Sequence, residues 1–246
     1  MCTLVFALRP APGIVLAASG NRNEFLARPA RAPEVEPGPV PALMPRDLKG
    51  GGTWLGLNAG GVFACLTNRR GAVLDSGRAS RGQLVVEALR AASASEVKER
   101  IAQVPGNRHN GFHLVFADAR EAWVAICDGS RLEMRTVVSG MPVVVTERSY
   151  GAGEGVREAE VRRECAPLFS APGLSAAMLR PPMQRHGPVP LEGACVHADD
   201  LGYGTRSSLQ LVIRETGAVE FLWTEGHPCT AEASDLSAQA TAVLRA

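Results

Sequence analysis

The order of predicted secondary-structure elements limits the folds available to this chain of 246 residues. Strand hairpins are predicted within residues 3–18 and 53–67, and two helices begin behind the capping patterns at Ser80 and Ser93. Further strands are predicted at 112–117, 122–127, 132–138, 142–146, 194–197, 207–213 and 219–223, with helices over 155–169 and 234–244. Because strand and helix do not alternate regularly, a doubly wound parallel sheet is disfavoured. The order favours an α+β fold of two antiparallel sheets with outer helices, as one domain over residues 1–246.

Proline and glycine mark two interruptions in this pattern. Residues 28–52 are rich in proline and end in Gly50-Gly51-Gly52, so a long surface excursion without regular structure is expected there. A short helical stretch over 174–179 is expected to stop at Pro181-Pro182.

Charge and apolar content exclude several classes of partner. Twenty-six basic and twenty-five acidic residues leave a net charge of +1, so overall charge does not attract this chain to nucleic acid or an anionic membrane. The apolar run over residues 2–8 is too short for a membrane span and lacks the basic lead of a signal peptide. Six cysteines without a C-x-x-C pair favour reduced thiols and a cytoplasmic location.

Cys2 is the first candidate for chemistry. Removal of the initiator methionine would leave Cys2 with a free α-amine, which titrates near 7.7–8.0 in ordinary peptides. One residue would then supply both the thiol nucleophile and a general base. The alternative is a cysteine that packs in a strand as a small apolar residue.

Polar residues at strand ends are the next candidates. Asn21-Arg22-Asn23-Glu24 is predicted to follow the second strand directly, Asn68 to close the strand over 62–67, and Arg206 to stand where a late strand begins. An asparagine can donate to an oxyanion, and an arginine can bind a carboxylate or stabilise a thiolate. Exposed turns are the simpler interpretation. Trp54 is expected to pack in the core or line a ligand pocket.

No metal ligand is assigned from the sequence. His109 and His113 have the i,i+4 spacing of a helical metal pair, but Asn110-Gly111 between them predicts a turn into a strand. None of these residues requires a cofactor.

Several motifs, in order along residues 1–215, resemble the NRDE family. They are Met1-Cys2-Thr3, Asn21–Glu24 with Phe25, Gly51–Gly56, Leu66-Thr67-Asn68, Ser80-Arg81-Gly82, Asn110-Gly111-Phe112 and Tyr203–Ser207. The resemblance implies an Ntn-hydrolase-like fold, a four-layer αββα sandwich. More distantly, the chain is similar to the choloylglycine and penicillin acylases.

The resemblance also implies roles for individual residues. Cys2 would be the nucleophile, Arg22 would lie beside its thiol, Asn68 would serve the oxyanion and Arg206 would support the pocket. Two positions depart from the family pattern: Asn23 replaces an aspartate, and Thr146-Glu147 stands where the family tends to place Ser-Asn. Both departures predict reduced catalytic power, because an amide carries no charge and a carboxylate is an acceptor.

Two functions are therefore weighed. The first is binding and trafficking of an apolar, acid-bearing small molecule, haem or an acyl-CoA or lipid, because family members are linked to such ligands. Asn21, Arg22, Glu24, Trp54 and Arg206 would line that pocket. The alternative is an N-terminal-cysteine hydrolase acting on linear amide C–N bonds. A purely structural interaction protein is disfavoured, since no exposed apolar or charged stripe is evident.

Overall fold

The computed structural model describes residues 2–71, 74–151 and 155–246. In chain order the strands are β1 (Cys2–Leu8), β2 (Ile14–Phe25), β3 (Ala30–Glu36), β4 (Ala42–Asp47), β5 (Leu55–Asn58), β6 (Phe63–Asn68), β7 (Phe112–Ala117), β8 (Ala122–Cys127), β9 (Leu132–Thr136), β10 (Val143–Thr146), β11 (His197–Ala198), β12 (Tyr203–Arg214), β13 (Val219–Glu225) and β14 (Ser234–Asp235). The helices are α1 (Gly82–Leu89), α2 (Ala94–Ala102), α3 (Val156–Phe169), α4 (Arg180–Met183) and α5 (Ser237–Leu244).

The elements form two antiparallel sheets in two compact units, which confirms the predicted sheet class. One unit comprises Met1–Arg28 with Ser139–Thr241, and the other comprises Pro29–Val138 with Ala242–Ala246. The expectation of a single domain over residues 1–246 stays a prediction.

The first unit is built on a sheet with strand order β10-β1-β2-β12-β13-β14, to whose β12 the short β11 is added. Six consecutive residues of β1 are buried, as a continuous apolar run in an inner strand requires. Val5 of β1 packs in one core cluster with Val161, Cys165 and Phe169 of α3. The strand that carries Cys2 is thereby held on its helical side.

The second unit is a meander in which β3 to β9 pair in sequence order. Leu84, Leu89 and Ile101 of α1 and α2 share a core cluster with Leu114 and Phe116 of β7. The capping pattern at Ser93 is confirmed, since its side chain accepts from the backbone N–H of Glu96. The pattern at Ser80 is not: α1 begins after Arg81 and has no side-chain cap.

The expectation of an irregular loop over 28–52 is wrong, because β3 and β4 pair there as a hairpin. Pro33 lies in a register shift between Arg31 and Glu34, where a missing N–H costs no ladder hydrogen bond. β3 is also the edge of its sheet. Edge position and bulge together make the prolines compatible with strand structure.

Two further expectations need correction. Pro181-Pro182 does not end the helical stretch but lies in the first turn of α4, where a proline's missing N–H has no intrahelical partner to lose. The strand expected at 194–197 is reduced to His197 and Ala198 of β11.

Within the described ranges, no helix has both the length and the apolar character needed to cross a bilayer. All six cysteines lie in these ranges, and none of them forms a disulfide.

Candidate functional site

Cys2 and Arg22 are directly opposed on neighbouring strands. The β1–β2 register pairs Cys2 with Arg22 and Thr3 with Asn21. Opposed residues of an antiparallel pair project to the same face, so the thiol and the guanidinium share one face of the sheet. Cys2 is half-buried, whereas only 6% of Arg22 is exposed. The register thus sets the two residues opposite each other, and the role of Arg22 beside the thiol stays a prediction.

The tetrad 21–24 lies inside β2 and does not follow it, which corrects the expected strand end. β2 is paired on both sides, with β1 and with β12, so its ladder continues through these polar residues. Alternation along the strand places Arg22 and Glu24 on the Cys2 face, and Asn21 and Asn23 on the opposite face. Local turn propensity is overridden by pairing on both edges.

The two asparagines are engaged on the face away from Cys2. Asn21 donates through Nδ2 to the carbonyls of Met183 and Ala194, at 2.8 and 2.9 Å. Asn23 accepts through Oδ1 from the Thr205 hydroxyl at 2.7 Å. The replacement of the family's aspartate by Asn23 therefore falls on a side chain that points away from the thiol.

On the side away from β2, β1 pairs with β10, and one residue of a buried ion pair follows β10. β1 and β10 pair Thr3 with Thr146, and Glu147 directly follows the end of β10. Glu147 and Arg157 are 5% and 6% exposed and form a salt bridge with each other. The carboxylate that departs from the family pattern is thus neutralised by an arginine from α3.

The charges of several of these groups act on the phenol of Tyr203. Its hydroxyl donates to the carbonyl of Asn23 at 2.6 Å. Burial raises the pKa of Tyr203, and the charges of Cys2, Glu24 and Glu147 raise it further. The phenol therefore remains a neutral hydrogen-bond donor at any physiological pH.

The sequence predicts Arg206 at the start of a strand. In the structure Arg206 lies inside β12, at a β-bulge between Thr205 and Ser207. Its guanidinium donates to the carbonyl of Leu26. Its charge also lowers the pKa of His227, after the larger effects of burial and His197. Ser207, by contrast, pairs with Arg22 across β2 and β12. Three adjacent strands thus present Cys2, Arg22 and Ser207 in one row.

Other residues named from the sequence lie in the second unit. Asn68 ends β6 opposite Phe112, and Trp54 is 8% exposed just before β5. Their roles in the site stay predictions. His109 and His113 share no helix, because His113 lies in β7 with its Nδ1 3.1 Å from the Thr67 hydroxyl.

Sequence reasoning missed one group of potential metal ligands, formed by His186, Cys195, His197 and Cys229. The spacing Cys195-Val196-His197 and the segment His227-Pro228-Cys229 were the available signals, but neither matches a C-x-x-C pattern. Arg157 was also missed, since nothing local to α3 indicates a partner ten residues away.

Two solved structures with this fold are, by title, an acylase and an acid amidase. Penicillin V acylase from Agrobacterium tumefaciens superposes with a TM-score of 0.56 at 12% identity, covering 97% of this chain and 86% of that one. The N-acylethanolamine-hydrolyzing acid amidase ortholog of Caenorhabditis elegans gives a TM-score of 0.61 at 11% identity, covering 87% and 92%. The fold is that of the Ntn hydrolases, as predicted.

Sequence comparison then places the chain. It belongs to the Transport and Golgi organisation 2 family, whose model matches residues 1–151. Transport and Golgi organization protein 2 homologs from Bos taurus and Homo sapiens are 34% and 32% identical over 176 residues. The match covers 67% of this chain and 61% of each homolog, so it spans about three fifths of their length. The resemblance to the NRDE family is thereby confirmed.

Proposed function

We propose that this protein is a cysteine-dependent amidohydrolase in which Cys2 attacks linear amide C–N bonds. The observation that carries the proposal is the register of β1 and β2, which sets a half-buried thiol opposite a buried guanidinium on one sheet face. A fixed positive charge stabilises a thiolate, and the thiolate is the reactive form of cysteine. Proteins of the same fold are named as an acylase and an acid amidase, which supports the reaction class.

The reaction requires a nucleophile, a base and a site for the oxyanion. The Cys2 sulfur forms a bond to the amide carbon, and the carbonyl electron pair moves onto oxygen. With Met1 removed, the α-amine of Cys2 takes the thiol proton and passes it to the leaving nitrogen as the C–N bond breaks. Water then attacks the acyl thioester, which releases the acid and restores the thiol. A hydrogen-bond donor beside the Cys2 sulfur would stabilise the oxyanion.

The departure at Asn23 does not oppose this proposal. The side chain of residue 23 lies on the face away from the Cys2 thiol and is bonded to Thr205, so the thiol does not lose a neighbouring carboxylate by this replacement. The departure at Glu147 is offset in charge by Arg157. Reduced activity, expected from the sequence, is therefore not required by either residue.

A second candidate is binding of an apolar molecule with an acid group, such as haem or an acyl-CoA or lipid. It is favoured by Arg157, which is 6% exposed and whose Nε and Nη1 have no partner among the described residues. Arg22 and Arg157 would meet the carboxylate or phosphate, since guanidinium binds either group bidentately. In that case Cys2 would be a contact residue or an axial ligand, and no acyl-enzyme would form.

One experiment separates the two candidates. The intact mass of full-length protein from a bacterial host is measured first, to establish whether Met1 has been removed. The protein is then incubated with long-chain N-acyl amides. The hydrolase predicts an acyl adduct on Cys2 and released amine, both absent from Cys2→Ser. Loss of Met1 without any adduct or turnover across acyl chain lengths refutes it.

The same protein is titrated with haemin and with a long-chain acyl-CoA. The binding candidate predicts saturable binding that Arg22→Met weakens at least about tenfold, as expected for loss of a charged contact. A triple variant, Arg22→Met/Arg157→Met/Glu147→Gln, removes both guanidinium groups without leaving the buried Glu147 carboxylate unpaired. Equal affinity of the wild type and the triple variant refutes ligand binding through these arginines.

A further inference from the structure

Two cysteines and two histidines from three separate segments converge in the first unit. His186 precedes a loop, and Cys229 follows β13. Cys195 lies just before β11, and His197 is the first residue of β11. One ligand atom from each residue lies within 4.8 Å of those of the other three. Cys195 is buried, His197 and Cys229 are half-buried, and His186 is exposed.

The separations are close to those of a tetrahedral coordination shell. The two Sγ atoms are 3.5 Å apart, and His197 Nε2 lies 3.7 Å from Cys195 Sγ and 3.1 Å from Cys229 Sγ. With Zn–N near 2.0 Å and Zn–S near 2.3 Å, the edges of a tetrahedron measure about 3.3–3.8 Å. Three donors are therefore already spaced around one point, and His186 can approach because its side chain is on the surface.

The backbone holds these donors in place independently of any local propensity. The backbone N–H of Cys195 donates to the carbonyl of Arg185 at 2.9 Å, which closes the loop that starts at His186. Within that loop Gly187 and Gly193 touch: a Cβ on Gly193 would lie 2.4 Å from the nitrogen of Gly187. Only residues without a side chain allow this approach, which brings His186 back beside Cys195.

The segment that carries Cys229 is anchored as well. The carbonyl of Pro228 accepts from Gln184 at 2.8 Å and from Arg180 at 3.2 Å. His227 stacks on His197 with ring centroids 3.8 Å apart. The His227 ring packs against Gly204, where a Cβ would lie 2.8 Å from His227 Cε1. The His197 ring is thereby packed on one side by another imidazole.

We propose that His186, Cys195, His197 and Cys229 form a structural zinc site. Two thiols and two imidazoles are the donor set that Zn²⁺ takes in four-coordinate structural sites, whereas Mg²⁺ and Ca²⁺ take oxygen ligands. Hydrogen bonds among thiols and imidazoles are weak, so they do not account for the convergence of four such groups. A cavity of about 260 Å³, lined by His186, Cys195 and His197, gives an ion access to the cluster.

The site is separate from the proposed nucleophile. None of its four residues belongs to the Cys2–Arg22 row, and its metal would cross-link the loop after α4, β11 and the segment after β13. Zinc would therefore stabilise this part of the fold and shield Cys195 and Cys229 from alkylation. Failure of amide hydrolysis would leave this proposal unaffected.

The test measures metal in the full-length chain, produced with zinc in the medium and purified under reducing conditions. Elemental analysis is expected to find about one zinc per chain, and none in Cys195→Ser/Cys229→Ser. Cys65→Ser is the matched control, since Cys65 lies in β6 of the second unit and should leave the zinc content unchanged. Equal zinc in the wild type and the double variant, or none in either, overturns the proposal.

Cobalt substitution provides a readout that does not depend on the double variant folding. Co²⁺ added to the zinc-free wild type is expected to give intense visible bands of a tetrahedral ion and a near-ultraviolet band from thiolate ligation. His186→Gln, a change at the surface, removes one ligand and should weaken zinc affinity by at least about 100-fold, since loss of a partner that only orients a ligand already costs about 10–100-fold. Absence of the thiolate band, or a Cys195–Cys229 disulfide in place of metal, refutes the site.

Discussion

Cys2 of β1 stands opposite Arg22 of β2, and the pair shares a sheet face with Ser207 of β12. The Arg22 guanidinium is buried, and the Cys2 thiol is half-buried. This relationship is the basis of the proposed chemistry.

Alkylation of Cys2 should depend on the charge of Arg22. Arg22→Met is expected to slow iodoacetamide labelling of Cys2 about fivefold, because one nearby charge contributes about 1 kcal/mol at a partly exposed site. Labelling is followed by peptide mass spectrometry. Arg206→Met is the control, since its guanidinium is bonded to the carbonyl of Leu26. Equal effects of the two changes would contradict the prediction.

The buried Cys165 gives an internal reference in the same experiment. Burial raises the pKa of the Cys165 thiol to about 12, so the thiol remains protonated at neutral pH. The side chain of Cys165 packs from α3 into the core. We expect no labelling of Cys165 until the protein unfolds. Labelling of Cys165 at the rate of Cys2 in native protein would show that the core around α3 opens readily.

Asn23→Asp should not increase the reactivity of Cys2. Residue 23 lies on the opposite sheet face, and its Oδ1 accepts from Thr205, a role that a carboxylate oxygen also fills. The rate of Cys2 labelling is expected to change by less than about twofold, since residue 23 projects from the other sheet face and its oxygen stays bonded to Thr205. A rate increase of tenfold would mean that the family's aspartate acts on the thiol after all.

Asn21→Ala should destabilise the first unit. It leaves the buried carbonyls of Met183 and Ala194 without their donor, at a cost of about 3 kcal/mol in the free energy of unfolding. Urea denaturation measures the loss. Asn110→Ala is the control, because Asn110 also bonds to backbone but is partly exposed, and its loss should cost below about 1 kcal/mol. Comparable losses would argue against a buried structural role for Asn21.

The Glu147–Arg157 pair should show strong coupling. Arg157→Met leaves a buried carboxylate without its counter-charge and is expected to cost about 3–5 kcal/mol, most of which Glu147→Gln should restore in the double variant. Arg90→Met provides the comparison, since Arg90 and Glu87 are 61% and 51% exposed in their pair and the change should cost under about 1 kcal/mol. Additive single effects would exclude a direct ion pair.

The free energy of unfolding should decrease at low pH because Asp128 becomes protonated. Hydrogen bonds from Arg131 and Ser130 lower the pKa of Asp128 to about 2, below its ordinary value of 3.8. A lowered pKa stabilises the fold above pH 4, and this stability is lost as the pH falls from 4 to 2. Because the carboxylate is exposed, Asp128→Asn should cost only about 1 kcal/mol at pH 7. A cost that persists at pH 2 would point to lost geometry instead of lost charge.

Local sequence determined the elements whose signals are short-range. The apolar run of β1, the helical periodicity of α1 and α3, and the Ser93–Glu96 cap were all predictable, because each depends on residues at most four positions apart. The ordered motifs were sufficient to indicate the family, and with it the two-sheet fold.

Tertiary structure decided which polar residues meet. Asn and Gly favour turns locally, so residues 20–24 were interpreted as a strand end, whereas pairing of β2 on both edges continues the strand and divides the tetrad between two faces. Strand register placed Arg22, and not Asn23, beside Cys2. Chain reversals brought His186, Cys195, His197 and Cys229 together across more than forty positions. Contacts of that range depend on how the sheet and its loops pack, and no local pattern of residues encodes them.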